Sequence, residues 1–299
     1  MNLWIDRIYS PDWPVGVVTP IFDGWYKEAQ AIAASDFQPR GWGCGGSANT
    51  VGQGSYFPTY AELKAMSDLG FDVFTHGHTL GGSSPSPMTS GITDTTYAPI
   101  LAHQRRALAA AGCDSTGLRW HQWLENLGKG AFDVAAHLKL HGINAARADT
   151  IDGEAGVDPF NSAYTSSMIA DSTWVSKRGR YNRSYIAWYN NIGIGANYDA
   201  APIDPAKPTL VTEVEYAAKT GQKLTAYVHR IIGSPTGYDV SPEFYAAHRD
   251  DLAARERSGD LLILNPTDVE RLTYWRSGDV YMRWDGEWVY RHDPTKIAF

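Results

Sequence analysis

The pentapeptide Thr75-His76-Gly77-His78-Thr79 carries the sharpest chemical signal in this chain. In extended backbone, residues two apart point the same way, so both imidazoles can face one ion. Asp23 would complete a ligand set of two nitrogens and one oxygen, leaving positions open for water and substrate. A divalent cation held there would acidify its water toward neutral pH and polarise a carbonyl. The alternative is two exposed histidines on a glycine-flanked loop. His137 and His141 share a helix face four residues apart, but no acidic or cysteine partner lies nearby, so that pair is assigned to the surface. Asp149, Asp152 and Glu154 are the carboxylates from which a two-carboxylate glycosidase would have to draw a facing pair.

These residues need elements to bring them together, and the sequence supplies candidates in order. Val15–Phe22 (VGVVTPIF) reads as a buried strand that ends at the turn Asp23-Gly24. A helix Tyr26–Ala34 and a Gly-rich run Gly41–Gly46 follow. Thr59 is a candidate N-cap for a helix Tyr60–Leu69, stopped by Gly70. Phe71–Thr75 is the next strand and delivers His76 at its end. Gly81–Thr96 reads as a surface loop, Ile100–Ala111 as a helix closed by Gly112, and Leu118–Trp120 as a short strand. A helix Ala131–Leu140 and a strand Ile143–Arg147 follow. Later come helix Leu210–Lys219, strand Leu224–His229, helix Pro242–Ser258 and strand Leu261–Asn265. Asp23, His76 and His229 each stand at the end of a strand, where barrel enzymes gather their polar residues. The alternation predicts an α/β barrel or a doubly wound sheet.

Two stretches break the rhythm. Residues 153–208 read as a long irregular insertion over one face. Val280–Arg291 alternates around Asp285-Gly286, the signature of a type I′ β-hairpin. The expected organisation is a body over residues 1–279 and a hairpin tail over 280–299.

The 299 residues suffice for one large barrel or two ordinary domains. A formal charge of −7 argues against nucleic acid or an anionic membrane surface as the main partner. No stretch reaches the roughly 20 apolar residues of a membrane span. No signal peptide is visible near the start, which leaves the location open. Cys44 and Cys113 fit no zinc-finger spacing and leave open either a disulfide or two buried thiols. Eleven Trp and seventeen Tyr are a rich supply of flat faces for sugar rings. Trp25, Trp42, Trp120, Trp123 and Trp188 stand beside Gly or polar residues and are the candidates; core packing is the competing use of each.

The chain resembles the polysaccharide deacetylase (NodB-like) family over residues 15–272. Val17-Val18-Thr19-Pro20-Ile21-Phe22-Asp23-Gly24 is similar to that family's first motif, T-F-D-D-G. Gly70-Phe71-Asp72-Val73-Phe74-Thr75-His76 is similar to its second, which delivers a metal-binding His. Leu224-Thr225-Ala226-Tyr227-Val228-His229 matches the strand bearing the family's catalytic His. Ser241-Pro242-Glu243-Phe244 through Leu261–Asn265 follows its closing helix and strand. Aligned on Gly24, Asp23 takes the metal-ligand position and Phe22 the position of the general base. Leu80 stands where the second motif has another His, and His78 is the substitute by geometry. Arg119-Trp120-His121-Gln122-Trp123 keeps only the Arg of the third motif. Asp149 and Asp152 lie where an acidic fourth motif often stands.

The resemblance implies a deformed (β/α) barrel that hydrolyses acetyl groups on a carbohydrate with a bound divalent metal, most simply zinc. Asp23, His76 and His78 would hold the ion, and His229 would be the general acid. His121 or Asp149 would take the base role that Phe22 cannot fill. Arg119 and the tryptophans, Trp25, Trp42 and Trp120 among them, would position the sugar. The alternative is a carbohydrate-binding domain without turnover, part of a cell-surface or phage-tail assembly.

Overall fold

In a computed structural model of the chain, the first strand, β1 (Gly16–Phe22), is buried along its whole length. It shows no inside–outside alternation, as a strand covered on both faces should not. The described residues are 15–50, 54, 57–76, 78–79, 86–87, 94–113, 120–122, 145–147, 182–189, 191–205, 208–221, 223–237, 239–268, 280–282 and 288–290. After β1 come α1 (Lys27–Ile32), β2 (Gly45–Ala48), α2 (Tyr60–Asp68) and β3 (Asp72–His76). The two-residue strands β4 (His78–Thr79) and β5 (Ser86–Pro87), α3 (Asp94–Ala110), β6 (Trp120–Gln122), β7 (Ala145–Arg147) and β8 (Asn182–Ala187) follow. The remainder is α4 (Leu210–Thr220), β9 (Lys223–Val228), α5 (Pro242–Ser258), β10 (Leu261–Ile263), β11 (Val280–Met282) and β12 (Trp288–Tyr290).

The central sheet has eight strands in the order β7-β6-β3-β2-β1-β9-β8, with β10 added beside β1. Every pairing in it is parallel. The edge of β1 is shared: Gly16–Val18 pair with β10, whereas Ile21 and Phe22 pair with β2. The fold is therefore mixed α/β around a parallel sheet, with strand ends β1, β3 and β9 pointing one way. That common direction brings Asp23, His76 and His229 to one face.

Helix ends are set by local chemistry. Thr59 and Glu62 form a capping box on α2, and Thr209 and Thr212 form one on α4. Ser241 caps α5 with Pro242 in its first turn, and Gly259, at φ 86°, closes it. Helix α1 continues through a π-helical turn, Ala33–Phe37, so the helix predicted to end at Ala34 runs further. Helix α4 crosses so close to β1 that a β-carbon on Gly16 would lie 2.3 Å from the Ala217 carbonyl oxygen.

One expectation needs correction. Residues 153–208 are not irregular throughout, because β8 joins the sheet beside β9. The Gly-rich run, given no element from the sequence, leads into β2, Gly45–Ala48, between β1 and β3. The hairpin expectation agrees with an antiparallel pairing of β11 with β12, Val280 opposite Tyr290 and Met282 opposite Trp288; the turn residues Asp285 and Gly286 lie outside the described residues. Cys44 and Cys113 are free, buried thiols. Burial raises both, Cys113 to about 11, so neither is a ready thiolate.

Behind the sheet, α5 places His248 against the edge of the Trp188 ring, with centroids 4.7 Å apart, and beside Tyr198. His248 is 1% exposed. Among the described residues neither of its ring nitrogens has a hydrogen-bond partner. Burial alone pushes its pKa down to about 3.

Candidate functional site

Asp23 follows the last residue of β1, where its backbone N–H donates to the Val228 carbonyl at 2.8 Å. This ties the end of β1 to the end of β9. The chain then turns through two left-handed residues, Gly24 at φ 84° and Trp25 at φ 46°. For a bulky residue that conformation costs roughly 1–2 kcal/mol. It is held by packing. The Trp25 indole lies over Gly46, where a β-carbon would come within 2.1 Å of its Nε1. Nε1 donates to the Asp72 carbonyl at 3.4 Å, and the ring stacks on Phe22 at 5.5 Å.

The turn leaves the Asp23 carboxylate buried among polar partners. Ser47 Oγ donates to Oδ1 at 2.9 Å and accepts the Gly24 N–H at 2.9 Å. His76 Nε2 is 2.6 Å from Oδ1. His229 Nε2 is 3.5 Å from Oδ2. Asp23 and His76 are each 3% exposed. Burial by itself would raise the Asp23 pKa, but the two imidazoles outweigh it and hold the carboxyl well below its ordinary value. Asp23 is therefore a carboxylate at neutral pH, oriented by Ser47 and ready to bind a cation or a proton donor.

One side of this pocket is an aromatic and cationic wall. The Tyr26 ring is 4.8 Å from Phe57 and 5.8 Å from His229. The Arg230 guanidinium carbon stands 5.5 Å from the Tyr26 centroid. Arg230 is fixed in turn by two hydrogen bonds to the buried Asp239, at 3.1 and 2.7 Å.

The sequence candidates separate clearly. Asp23, His76 and His229 are brought together. His78 begins β4, paired with Pro87; its backbone alone is described, and Gly77, between it and His76, lies outside the described residues. His121 lies on β6 in register with Thr75, and Gln122 with His76. Trp120 is on the same strand, in register with Ala145 of β7. For these three residues the backbone alone is described. Arg119, Trp123, Asp149, Asp152, Glu154, His137 and His141 lie outside the described residues.

Trp25, Trp42 and Trp188 are corrections. All three are buried in the core and offer no face to a sugar. Trp25 is turned inward by the left-handed turn. Trp42 donates from Nε1 to Glu256 at 2.7 Å and packs on Phe37. Trp188 lies among Phe22, Tyr245 and His248. Phe22 is core as well. Ser47, Tyr26 and Arg230 are site residues that sequence reasoning missed.

A cation fits this donor set in part. Asp23 supplies a hard oxygen and His76 an imidazole nitrogen, a combination suited to zinc and its neighbours. Among the described residues no group of three His, Cys, Asp or Glu side chains able to hold a metal ion is formed. Comparison of the chain with protein-family models, with curated proteins and with solved structures finds no match.

Proposed function

We propose that this chain is a metal-dependent hydrolase that removes acetyl groups from a carbohydrate. One observation carries the reading: a buried, ionised Asp23 stands between His76 at 2.6 Å and His229 at 3.5 Å, at the common end of parallel strands. The deformed barrel of the NodB type belongs to the same proposal. In its support, strand order follows chain order from β1 through β2, β3 and β6 to β7, and from β8 through β9 back to β1.

Asp23 and His76 would hold the ion, with His78 as the third ligand. When bound, the cation supplies a water of lowered pKa and polarises the acetyl carbonyl. The chain's own residues do the rest. Ser47 fixes the rotamer of Asp23 through its 2.9 Å hydrogen bond, the kind of outer contact that orients a ligand. His229 is half-buried and packed on Tyr26, so its ring is held while one edge reaches the pocket. From there Nε2–H can donate to the departing amine or alkoxide. His121 or Asp149 would serve as the base. Tyr26 and Phe57, rather than Trp25 or Trp42, form the surface offered to the sugar, and Arg119 and Trp120 stay as the further sugar-positioning residues that the resemblance implies.

Sugar binding without turnover is the second reading. The observation in its favour is Phe22, which fills the place of a general base and is locked in the core. Acetate release from N- and O-acetylated oligosaccharides tests both. The hydrolase reading expects release that stops with a chelator, returns with zinc, and falls at least about 100-fold in His229→Ala. Glycan binding with no acetate released under any metal would replace it by the second reading.

A further inference from the structure

His229 sits where the chain is pinned on both sides, and the outer pin is an ion pair that neither the cation nor the proton transfer uses. Before His229, the Val228 carbonyl accepts the Asp23 N–H at 2.8 Å. After it, the Arg230 carbonyl accepts the Val240 N–H at 3.0 Å, and the Ile232 N–H donates to the Val240 carbonyl at 2.9 Å. Asp239, next to Val240, is 2% exposed. Its Oδ1 accepts Arg230 Nε–H at 3.1 Å and its Oδ2 accepts Arg230 Nη2–H at 2.7 Å. The N–H and hydroxyl of Thr236 also donate to Oδ2, at 3.3 and 3.2 Å. A largely buried pair of this kind adds little net stability over apolar packing, so what it supplies is geometry. The geometry here is the orientation of the guanidinium plane, set by two N–H bonds to two oxygens.

That plane bears on the acid. Its carbon stands 5.5 Å from the Tyr26 centroid. Phe57 packs on the same ring at 4.8 Å, and the ring lies 5.8 Å from His229 with 34° between planes. An imidazole at a strand end turns about two side-chain bonds, and 29% of the His229 side chain is exposed. Its packing on Tyr26 and the 3.5 Å approach of Nε2 to Asp23 Oδ2 confine it. Resting on the hydrolase reading, we propose that Asp239 is a positioning residue for the general acid: it fixes Arg230, Arg230 holds the Tyr26 ring, and that ring sets the direction of the His229 imidazole. Small displacements of a reacting group cost much in rate. The step served is protonation of the leaving group. As water adds to the acetyl carbon and the bond to the sugar nitrogen or oxygen breaks, the proton on Nε2 passes to that atom. A sugar amine or alkoxide departs poorly without it. A nitrophenolate departs without help, because its charge spreads over the ring. The Asp239 pair therefore matters for sugar leaving groups far more than for an aryl one.

The test compares wild type, Asp239→Asn and Arg230→Lys on two substrates. One is the acetylated oligosaccharide that wild type cleaves, N-acetylglucosamine or O-acetyl-xylose oligomers; the other is 4-nitrophenyl acetate. Arg230→Lys keeps a cation for Asp239 and loses the plane over Tyr26, so it carries the test where Asp239→Asn folds poorly. Thermal melting and zinc content report the fold and the ion site. Both variants should lower the ratio of oligosaccharide to aryl-ester kcat roughly 10–100-fold. On the oligosaccharide, Asp239→Asn added to His229→Ala should cost less than about 3-fold more, since the pair acts through that ring. A ratio unchanged in both variants, or losses that multiply in the double variant, would overturn the assignment while leaving the hydrolase reading intact. A wild type that binds zinc but releases acetate from neither sugar would overturn both.

Discussion

His76 and His248 are buried to similar depth, 3% and 1% exposed, and the chain treats them in opposite ways. His76 faces a carboxylate, and that carboxylate is itself held by Ser47 and approached by His229. His248 faces aromatic rings, and neither ring nitrogen meets a hydrogen-bond partner among the described residues. Apolar packing can bury an imidazole as a flat neutral ring, at the cost of its protonation. A polar, ionised surrounding serves no packing purpose, since apolar residues of similar volume are often as stable there. The contrast sets a polar, ionised pocket at Asp23, where the proposed chemistry would lie, against an aromatic cluster at His248.

Substitutions that treat the two regions alike would break this comparison. Asp23→Ala should lower acetate release on the order of 10³-fold or more, since it removes the partner of two imidazoles and, under the proposed function, a ligand of the ion. His248→Phe, which keeps a flat ring in the aromatic cluster, should leave release within about 2-fold, because His248 packs on Trp188 and Tyr198 rather than on Asp23, His76 or His229. Acetate assays on the two purified variants, side by side, check both. Ser47→Ala should cost roughly 10–100-fold in metal affinity or activity, the usual effect of removing an outer contact to a ligand. Zinc titration of the variant measures it.

The second region sharpens through pH. The folded pKa of His248, about 3, lies below the unfolded value of 6.5. The unfolded chain therefore binds the proton more readily, and stability falls as pH drops from about 6.5 toward about 3. Denaturant unfolding should give a stability about 2 kcal/mol lower at pH 5 than at pH 7, a gap that His248→Phe removes. Asp23 acts in a different window. Its folded pKa is depressed below its ordinary value of 3.8, so its contribution is complete above that value and is lost only at more acid pH. A modest effect is expected of Tyr26→Phe, which keeps the ring against Phe57 and Arg230. Loss of the hydroxyl should raise KM roughly 2–10-fold with kcat little changed, as steady-state kinetics would show.

Much of the scaffold was legible in the residues. Thr59 announces a helix start, and Gly70 and Gly112, at φ 89° and 74°, announce stops, because capping is local chemistry. The strands bearing Asp23, His76 and His229 were legible as apolar runs with polar ends. Strand β2 was not, because Gly45 and Gly46 lack the β-branched and aromatic residues that mark strands. They are glycines because Phe74, Pro266 and Trp25 occupy the space of their side chains, a tertiary fact. The choice of Trp25 as a sugar platform failed for a related reason. Two consecutive left-handed residues decide which ring turns inward, and only one of them is glycine. Ser47 sits in a stretch whose period says nothing until β2 is known to lie between β1 and β3.

The central claim is that Asp23 and His76 hold a metal ion. Elemental analysis of the purified wild-type chain and of His76→Ala tests it most directly. About one zinc, nickel or cobalt per wild-type chain, lost in the variant, is the predicted result. A wild type that carries no metal even after loading with excess zinc would contradict it.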